Sequence, residues 1–198
     1  MNIALLIEIV GAIIGLTYLY LEYKASFWLW VAGIVMSLFY VYIYYHGKFY
    51  ADMATYAYYF GANVYGLILW KKSSQDSQKE ESVFSHLSHK RIPLLMILFL
   101  YLWFIIFFVL RQLHNAVALS DPFFVLALGD SFTTALSVIA MWLMAKKHVE
   151  HWLLWIVVNA ISCGLYLWKG LYPTAILFVV YTIVSVLGYF RWKKMVGA

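Results

Sequence analysis

Apolar runs broken by short polar punctuation cover nearly the whole chain, near residues 3–20, 27–46, 50–70, 92–113, 123–145, 151–168 and 171–190. A hydrocarbon layer of ~30 Å takes about 20 helical residues to cross. Each run therefore predicts one spanning helix, seven in all. The longest polar stretch, Lys71–Arg91, contains SSQDSQKEES and reads as a solvated loop. Pro93, just after it, suits the first turn of the fourth helix, where a missing N–H costs nothing.

Composition sharpens this into a class. Of 198 residues, 65% are hydrophobic and 12% charged, against roughly 45–50% and about 25% in soluble domains. A water-soluble enzyme is excluded, since one core of this size could not hide so much apolar surface. The first run lacks a basic leader and an early small-residue cleavage site, so it is expected to remain as a helix. Cys163 is the single cysteine, which rules out internal disulfides and thiolate metal clusters. The net charge of +5 is scattered between apolar runs, not gathered in a stripe, so no nucleic-acid partner is expected. Connections after odd-numbered helices carry 11 of the 14 lysines and arginines. The positive-inside rule then puts the N-terminus outside and the C-terminus in the cytoplasm, which requires an odd number of helices.

A shift of 122 residues superposes the two ends of the chain. Trp30 falls on Trp152, Tyr59 on Tyr181, Gly66 on Gly188 and Trp70-Lys71-Lys72 on Trp192-Lys193-Lys194, within 11 identities over residues 28–72. The same shift places Glu8 on Asp130, Gly11 on Thr133 and Gly15 on Ser137. The first three helices thus correspond to the last three. An even number of crossings separates them, so the repeats are parallel. The expected fold is an all-α polytopic membrane protein with seven transmembrane helices in a 3+1+3 parallel duplication. It forms one transporter domain, with repeats at 1–72 and 122–198 and a cytoplasmic loop plus linker helix at 73–121. The linker core, LLMILFLYLWFIIFFVL (94–110), bears no charged or amide group and suits lipid contact.

Polar groups inside such runs are expensive and mark candidate sites. Glu8 and Asp130 lie at matching depth towards the outer face; their alternative role is snorkelling or bonding between helices. Asn159 with its mate Ser37, and Asn63 with its mate Ser185, lie near the midplane. Ser131, Thr133, Thr134 and Ser137 give the fifth helix a polar flank. No lysine or arginine lies deep in a run. Buried carboxylates without a buried base favour a cation or a hydroxyl-rich neutral molecule over a phosphate.

Trp152, Trp155 and Asn159 share one helical face. Trp152 falls where an interfacial belt residue would. Trp155, beside Asn159, can stack on an aromatic ring and attract a cation, with packing as the alternative. Tyr56, Tyr59 and Asn63 repeat this spacing on the third helix. Gly11, Gly15 and Gly61 fit close helix packing. His86-x-x-His89 and His148-x-x-His151 lie at loops or rims without a ligand framework, so no metal is expected. Absence of Walker, GxSxG and HExxH motifs leaves ATP-driven transport and hydrolysis unsupported; neither enzyme activity nor a cofactor is expected.

These features resemble the PnuC family of bacterial vitamin-precursor transporters, from Glu8 to about Lys194. The resemblance rests on LEYKASFWLW (21–30), GKFYAD (47–52), GDSFTTALSVIAMWLMAKK (129–147), WLLWIVVN (152–159), YLWKGLYPTAILF (166–178) and the closing GYFRWKK. It implies a duplicated, SWEET-like fold in the bacterial cytoplasmic membrane, with lipid around it and a homo-oligomer left open. It implies facilitated import of nicotinamide riboside, with relatives moving thiamine or riboflavin, and trapping by a cytosolic kinase that need not touch the transporter. Trp155 and Asn159 match the family's stacking and hydrogen-bonding positions. Tyr56 departs from the glutamine frequent in riboside-reading members and keeps thiamine in view; both vitamins are aromatic monocations. The expected substrate set is Trp155, Asn159, Asp130, Glu8, Tyr56, Tyr59, Asn63, Thr134, Trp152 and Ser37. The competing classes are a membrane receptor or scaffold acting through the 71–91 loop, and a proton-coupled transporter titrating Glu8 or Asp130.

Overall fold

The computed structural model describes residues 3–47, 50–75, 84–113 and 122–196. Seven α-helices form among them: α1 (Ile3–Tyr23), α2 (Trp28–Gly47), α3 (Tyr50–Gln75), α4 (Ile92–Leu113, led in by a 3-10 turn at His89–Arg91), α5 (Pro122–Ala145), α6 (His151–Trp168) and α7 (Tyr172–Met195). Each apolar run becomes one helix. The largest departures are at the ends of α3 and α7, which run on through Lys71-Lys72 and Arg191–Met195. Hydropathy stops at these cations, but a helix C-terminus carries partial negative charge and welcomes them. Among the described residues, four segments are long and apolar enough to cross a membrane: His89–Gln112, Phe124–Ala145, His151–Trp168 and Tyr172–Met195.

The helices gather into two compact units, α1–α3 and α4–α7, divided between Val83 and Phe84. In the first, α2 lies along α3 and α1 packs on α2; in the second, α4 packs on α5, α5 on α6 and α6 on α7.

The exits of α1 and α5 use the same turn. Ala25 (φ 53) and Lys147 (φ 59), 122 residues apart, both adopt the left-handed conformation. In the first unit Ala25 N–H donates to Glu22 O at 2.9 Å and Ser26 N–H to Leu21 O at 2.9 Å. In the second, Lys147 N–H donates to Met144 O at 2.9 Å and His148 N–H to Leu143 O at 3.0 Å. Both are Schellman caps that satisfy the last carbonyls of a helix, here without the usual glycine. Lys24 sits over the Tyr20 ring (5.7 Å) and Lys146 over the Trp142 ring (4.2 Å), again 122 residues apart.

Each helix pair that follows closes on two indoles and a glycine. Trp30 of α2 meets Trp70 of α3 edge-on at 5.5 Å and 76°, both buried. Trp152 of α6 meets Trp192 of α7 at 5.9 Å and 84°, both fully buried. A methyl group at Gly66 would collide with the Trp30 ring, and one at Gly188 with the Trp152 ring. Only glycine lets the indole lie flat on the facing backbone, which is the packing reason for those two identities. Trp152 is therefore a core residue and not a boundary one.

Most of the apolar surface of α4 is left outside the unit, consistent with a lipid-facing helix. It is anchored to α5 by Phe99, Trp103 and Phe132, whose rings stand 5.2–5.7 Å apart. Before α4, residues 84–87 strap onto the α5–α6 turn. Ser85 N–H donates to Lys147 O (3.2 Å) and Val149 N–H to Ser85 O (3.1 Å). Phe84 is buried against Trp192 at 4.8 Å.

Candidate functional site

In the second unit, α6 carries Trp155 and Asn159 one turn apart on the face that meets α7. Asn159 is buried, and its amide donates to Ser185 Oγ of α7 at 3.1 Å. Ser185 passes its own proton to Tyr181 O at 2.8 Å, so the hydroxyl is free to accept. Both bonds fix the amide plane of Asn159. The Trp155 indole Nε1 is shut off from solvent and has no hydrogen-bond partner among the described residues. A buried unpaired N–H is costly, and here it stands one turn from an oriented amide. Together they offer a flat apolar wall, a ring face and polar groups in fixed directions, a constellation able to stack on and read an aromatic ring.

The first unit answers with the same positions and exchanged residues. Ser37 stands where the shift puts Asn159, and Asn63 where it puts Ser185; the amide of Asn63 lies 3.5 Å from Ser37 Oγ. Its stronger bond is to Tyr59 O, at 2.7 Å, while Ser37 Oγ donates to Gly33 O at 2.7 Å. Gly33, the counterpart of Trp155, leaves the space that Asn63 fills, since a methyl there would strike the Asn63 amide. Asn63 Oδ1 is buried without a partner among the described residues. Tyr56 stacks against Tyr40 (4.7 Å, 31°) and stands edge-on to Tyr59 (5.7 Å, 86°). Asn63 is thus wedged between α2 and α3, and the tyrosines form the aromatic surface beside it.

The carboxylates fall differently from the expected pattern. Asp130 is 43% exposed by side chain and paired with Lys169 at 3.2 Å, so it is neither buried nor free of a base. The pair was not legible by spacing, because Lys169 lies 39 residues on and meets Asp130 only once α6 packs antiparallel to α5. The side chain of Glu8, on α1, lies outside the described residues. Among the described residues the buried acid is Glu22, only 3% exposed, which lies two residues beyond the end of the first apolar run. The polar flank of α5 mostly bonds to its own backbone: Thr134 Oγ1 to Asp130 O (2.7 Å), Ser137 Oγ to Thr133 O (2.8 Å) and Thr133 Oγ1 to Gly129 O (3.1 Å). Hydroxyls used in this way soften the helix more than they line a path. Trp152 presents no accessible surface.

The histidines serve the strap. His86 Nδ1 meets Glu150 Oε1 at 2.8 Å, Leu87 N–H donates to Glu150 Oε2 at 2.8 Å, and Ser85 Oγ pairs with His148 Nδ1 at 2.9 Å. Burial alone would raise the Glu150 carboxyl, yet the bonds from His86 and Leu87 hold it below the ordinary carboxylate value. Burial lowers His148 below its usual value, reinforced by Arg91 and Lys146 and opposed by Glu150 and Ser85. Burial also lowers Lys147.

A family model described as nicotinamide mononucleotide transporter matches residues 5–194. The nicotinamide riboside transporter PnuC of Escherichia coli (strain K12) is 24% identical over 165 residues, covering 73% of this chain and 67% of the relative. Its namesake from Haemophilus influenzae is 28% identical over 150 residues, covering 75% and 62%. The chain thus spans about two thirds of the length of these relatives. A crystal structure of the vitamin B3 transporter PnuC superposes with a TM-score of 0.67 at 24% identity, covering 94% of this chain and 80% of that one; that likeness carries the fold.

Proposed function

The chain belongs to the nicotinamide mononucleotide transporter family, and from that premise we propose that it carries nicotinamide riboside across the bacterial cytoplasmic membrane. It is a multi-pass membrane protein and a transporter by family, not an enzyme. The family description names a mononucleotide and the relatives a riboside; the chemistry of the chain favours the riboside. Among the described residues the lysines and arginines lie in turns or at helix ends, and Lys169 is engaged by Asp130. A phosphate would enter the hydrocarbon layer without a cation to meet it.

One observation carries the reading: the unpaired indole N–H of Trp155 beside the fixed Asn159–Ser185 pair. Trp155 stacks the pyridinium ring, the quadrupole of the indole attracts its charge, and Asn159 reads the carboxamide or a ribose hydroxyl. The fold is a SWEET-like 3+1+3 duplication with the N-terminus outside, and transport proceeds by alternating access. Transport needs no energy source of its own, because a cytosolic kinase phosphorylates the vitamin and so removes it from the exchange. Glu8 and Asp130 attract the cation from the outer side, Asp130 in competition with Lys169.

Thiamine is the alternative substrate. Tyr56, stacked on Tyr40, offers a ring where riboside readers often hold an amide. Calorimetry of the purified protein with nicotinamide riboside, nicotinamide mononucleotide, thiamine and riboflavin separates these. Saturable binding of the riboside alone is expected; binding of thiamine alone reverses the assignment, and binding of none removes it.

A further inference from the structure

We infer that Lys169 is a tethered stand-in for the solute, holding an entry site for an aromatic monocation at the end of the second unit where α6 turns into α7; the inference rests on the transport reading above. A lysine at the end of a membrane helix ordinarily stretches outward to water. Lys169 turns back instead. Its Nζ lies 5.5 Å from the centroid of the Tyr166 ring, one turn earlier on α6, and 3.2 Å and 3.4 Å from the two carboxylate oxygens of Asp130 on α5. A carboxylate together with a phenol ring is what a pyridinium cation would need for recognition.

The end of α6 does not need this ammonium. Gly170, at φ 73, closes the helix in a Schellman cap: its N–H donates to Leu167 O at 3.1 Å, and Leu171 N–H donates to Tyr166 O at 2.9 Å. The backbone thus satisfies the last carbonyls, and the lysine side chain is left to Asp130 and Tyr166. The pair is also within reach of a solute, with the Lys169 side chain 29% and the Asp130 side chain 43% exposed. An ion pair open to water to this extent holds weakly, so a cation that brings its own ring can take the place of the ammonium. Beyond it the rings continue. Tyr166 lies 5.0 Å from Phe178 of α7, and Phe178 lies 5.4 Å from Tyr181. Tyr181 O holds the Ser185 hydroxyl, which orients Asn159. By their spacing Trp155, Asn159 and Tyr166 share one face of α6. The entry site and the Trp155–Asn159 site are therefore two ends of one aromatic surface, with Lys169 on the end at the α6–α7 turn.

The test measures initial uptake of labelled nicotinamide riboside and of its neutral dihydro form into proteoliposomes containing the full chain, each well below saturation, where the rate reports entry. Lys169→Met and Lys169→Gln remove the competing charge and are expected to raise the ratio of cation to neutral uptake by about twofold to fivefold, the worth of a half-exposed ion pair. Lys169→Arg, which restores a cation, should return the wild-type ratio, and Asp130→Asn should lower it. A lysine that only clasped α6 to α5 would change both rates alike. Neutral variants that leave the ratio unchanged or lower it, or that fail to fold where Lys169→Arg folds, overturn the proposal. Wild type that carries neither form overturns the substrate reading itself, and this proposal with it.

Discussion

Asn159 of α6 donates its amide hydrogen to Ser185 of α7 across 3.1 Å, and 122 residues earlier the same two positions hold Ser37 and Asn63, 3.5 Å apart. The pair is kept and its members are exchanged between helices. The exchange decides what each amide does. Asn63 is pulled onto the Tyr59 carbonyl and packed on Gly33, while Asn159 is tied to a hydroxyl and lies beside the N–H of Trp155, which has no partner among the described residues.

The two asparagines should therefore respond differently. Ser185→Ala removes the bond that orients Asn159 and is expected to weaken substrate binding by roughly threefold to tenfold, the worth of one hydrogen bond of about 0.5–1.5 kcal/mol. Asn63→Ala leaves a cavity and opens the α2–α3 contact, so its main effect is a lowered unfolding temperature. Calorimetric titration and thermal unfolding in detergent check the pair.

Glycines separate by what faces them. Gly66→Ala and Gly188→Ala drive a methyl group into the Trp30 and Trp152 rings and are expected to destabilise by about 1–3 kcal/mol each. Gly61 and Gly164 face open space within 4 Å, so alanine there should be neutral or slightly stabilising. Unfolding midpoints of the four variants provide the comparison.

Ala25 holds a left-handed conformation (φ 53) that glycine adopts without strain. Ala25→Gly is expected to stabilise by roughly 0.5–1 kcal/mol, the relief of strain exceeding the added freedom of the unfolded chain. A lower unfolding temperature for this variant would count against the cap.

Acid should loosen the strap between residues 84–87 and the α5–α6 turn. Glu150 has its folded pKa depressed below 4.5, so its stabilisation is complete above that value and fades as pH falls through the folded one. His148 is depressed below 6.5 by burial. Folding therefore opposes its protonation, and stability is lost as pH drops below 6.5. Both groups bind more protons when unfolded, so both effects have the same sign. Hydrogen-exchange protection at residues 84–91, measured relative to the intrinsic rate at each pH, is expected to fall between pH 7.5 and 5 and further below pH 4.5. In His148→Asn the upper step should vanish.

All seven helices were legible, because apolar length alone decides them, and the 122-residue shift anticipated which residues would play matching parts. Ser37, Asn63, Asn159 and Ser185 were each visible as polar groups in apolar runs. Their pairing was not, since it depends on how α2 meets α3 and α6 meets α7. Trp152 looked like a boundary residue from its depth, and only the close approach allowed by Gly188 buries it. Asp130 was misplaced for a related reason. Depth along a helix is readable from sequence, but the direction a side chain takes around it is set by packing, which leaves Asp130 to Lys169 and turns Glu22 inward.

Uptake of labelled nicotinamide riboside into proteoliposomes containing only this protein, without ATP or kinase, tests the transport mechanism most directly, with Asn159→Leu as the paired variant. Saturable, gradient-independent equilibration by the wild type, lost in a variant that still inserts and folds, is the predicted result. No flux from folded wild type, or an Asn159→Leu variant with unchanged uptake and affinity, would contradict it.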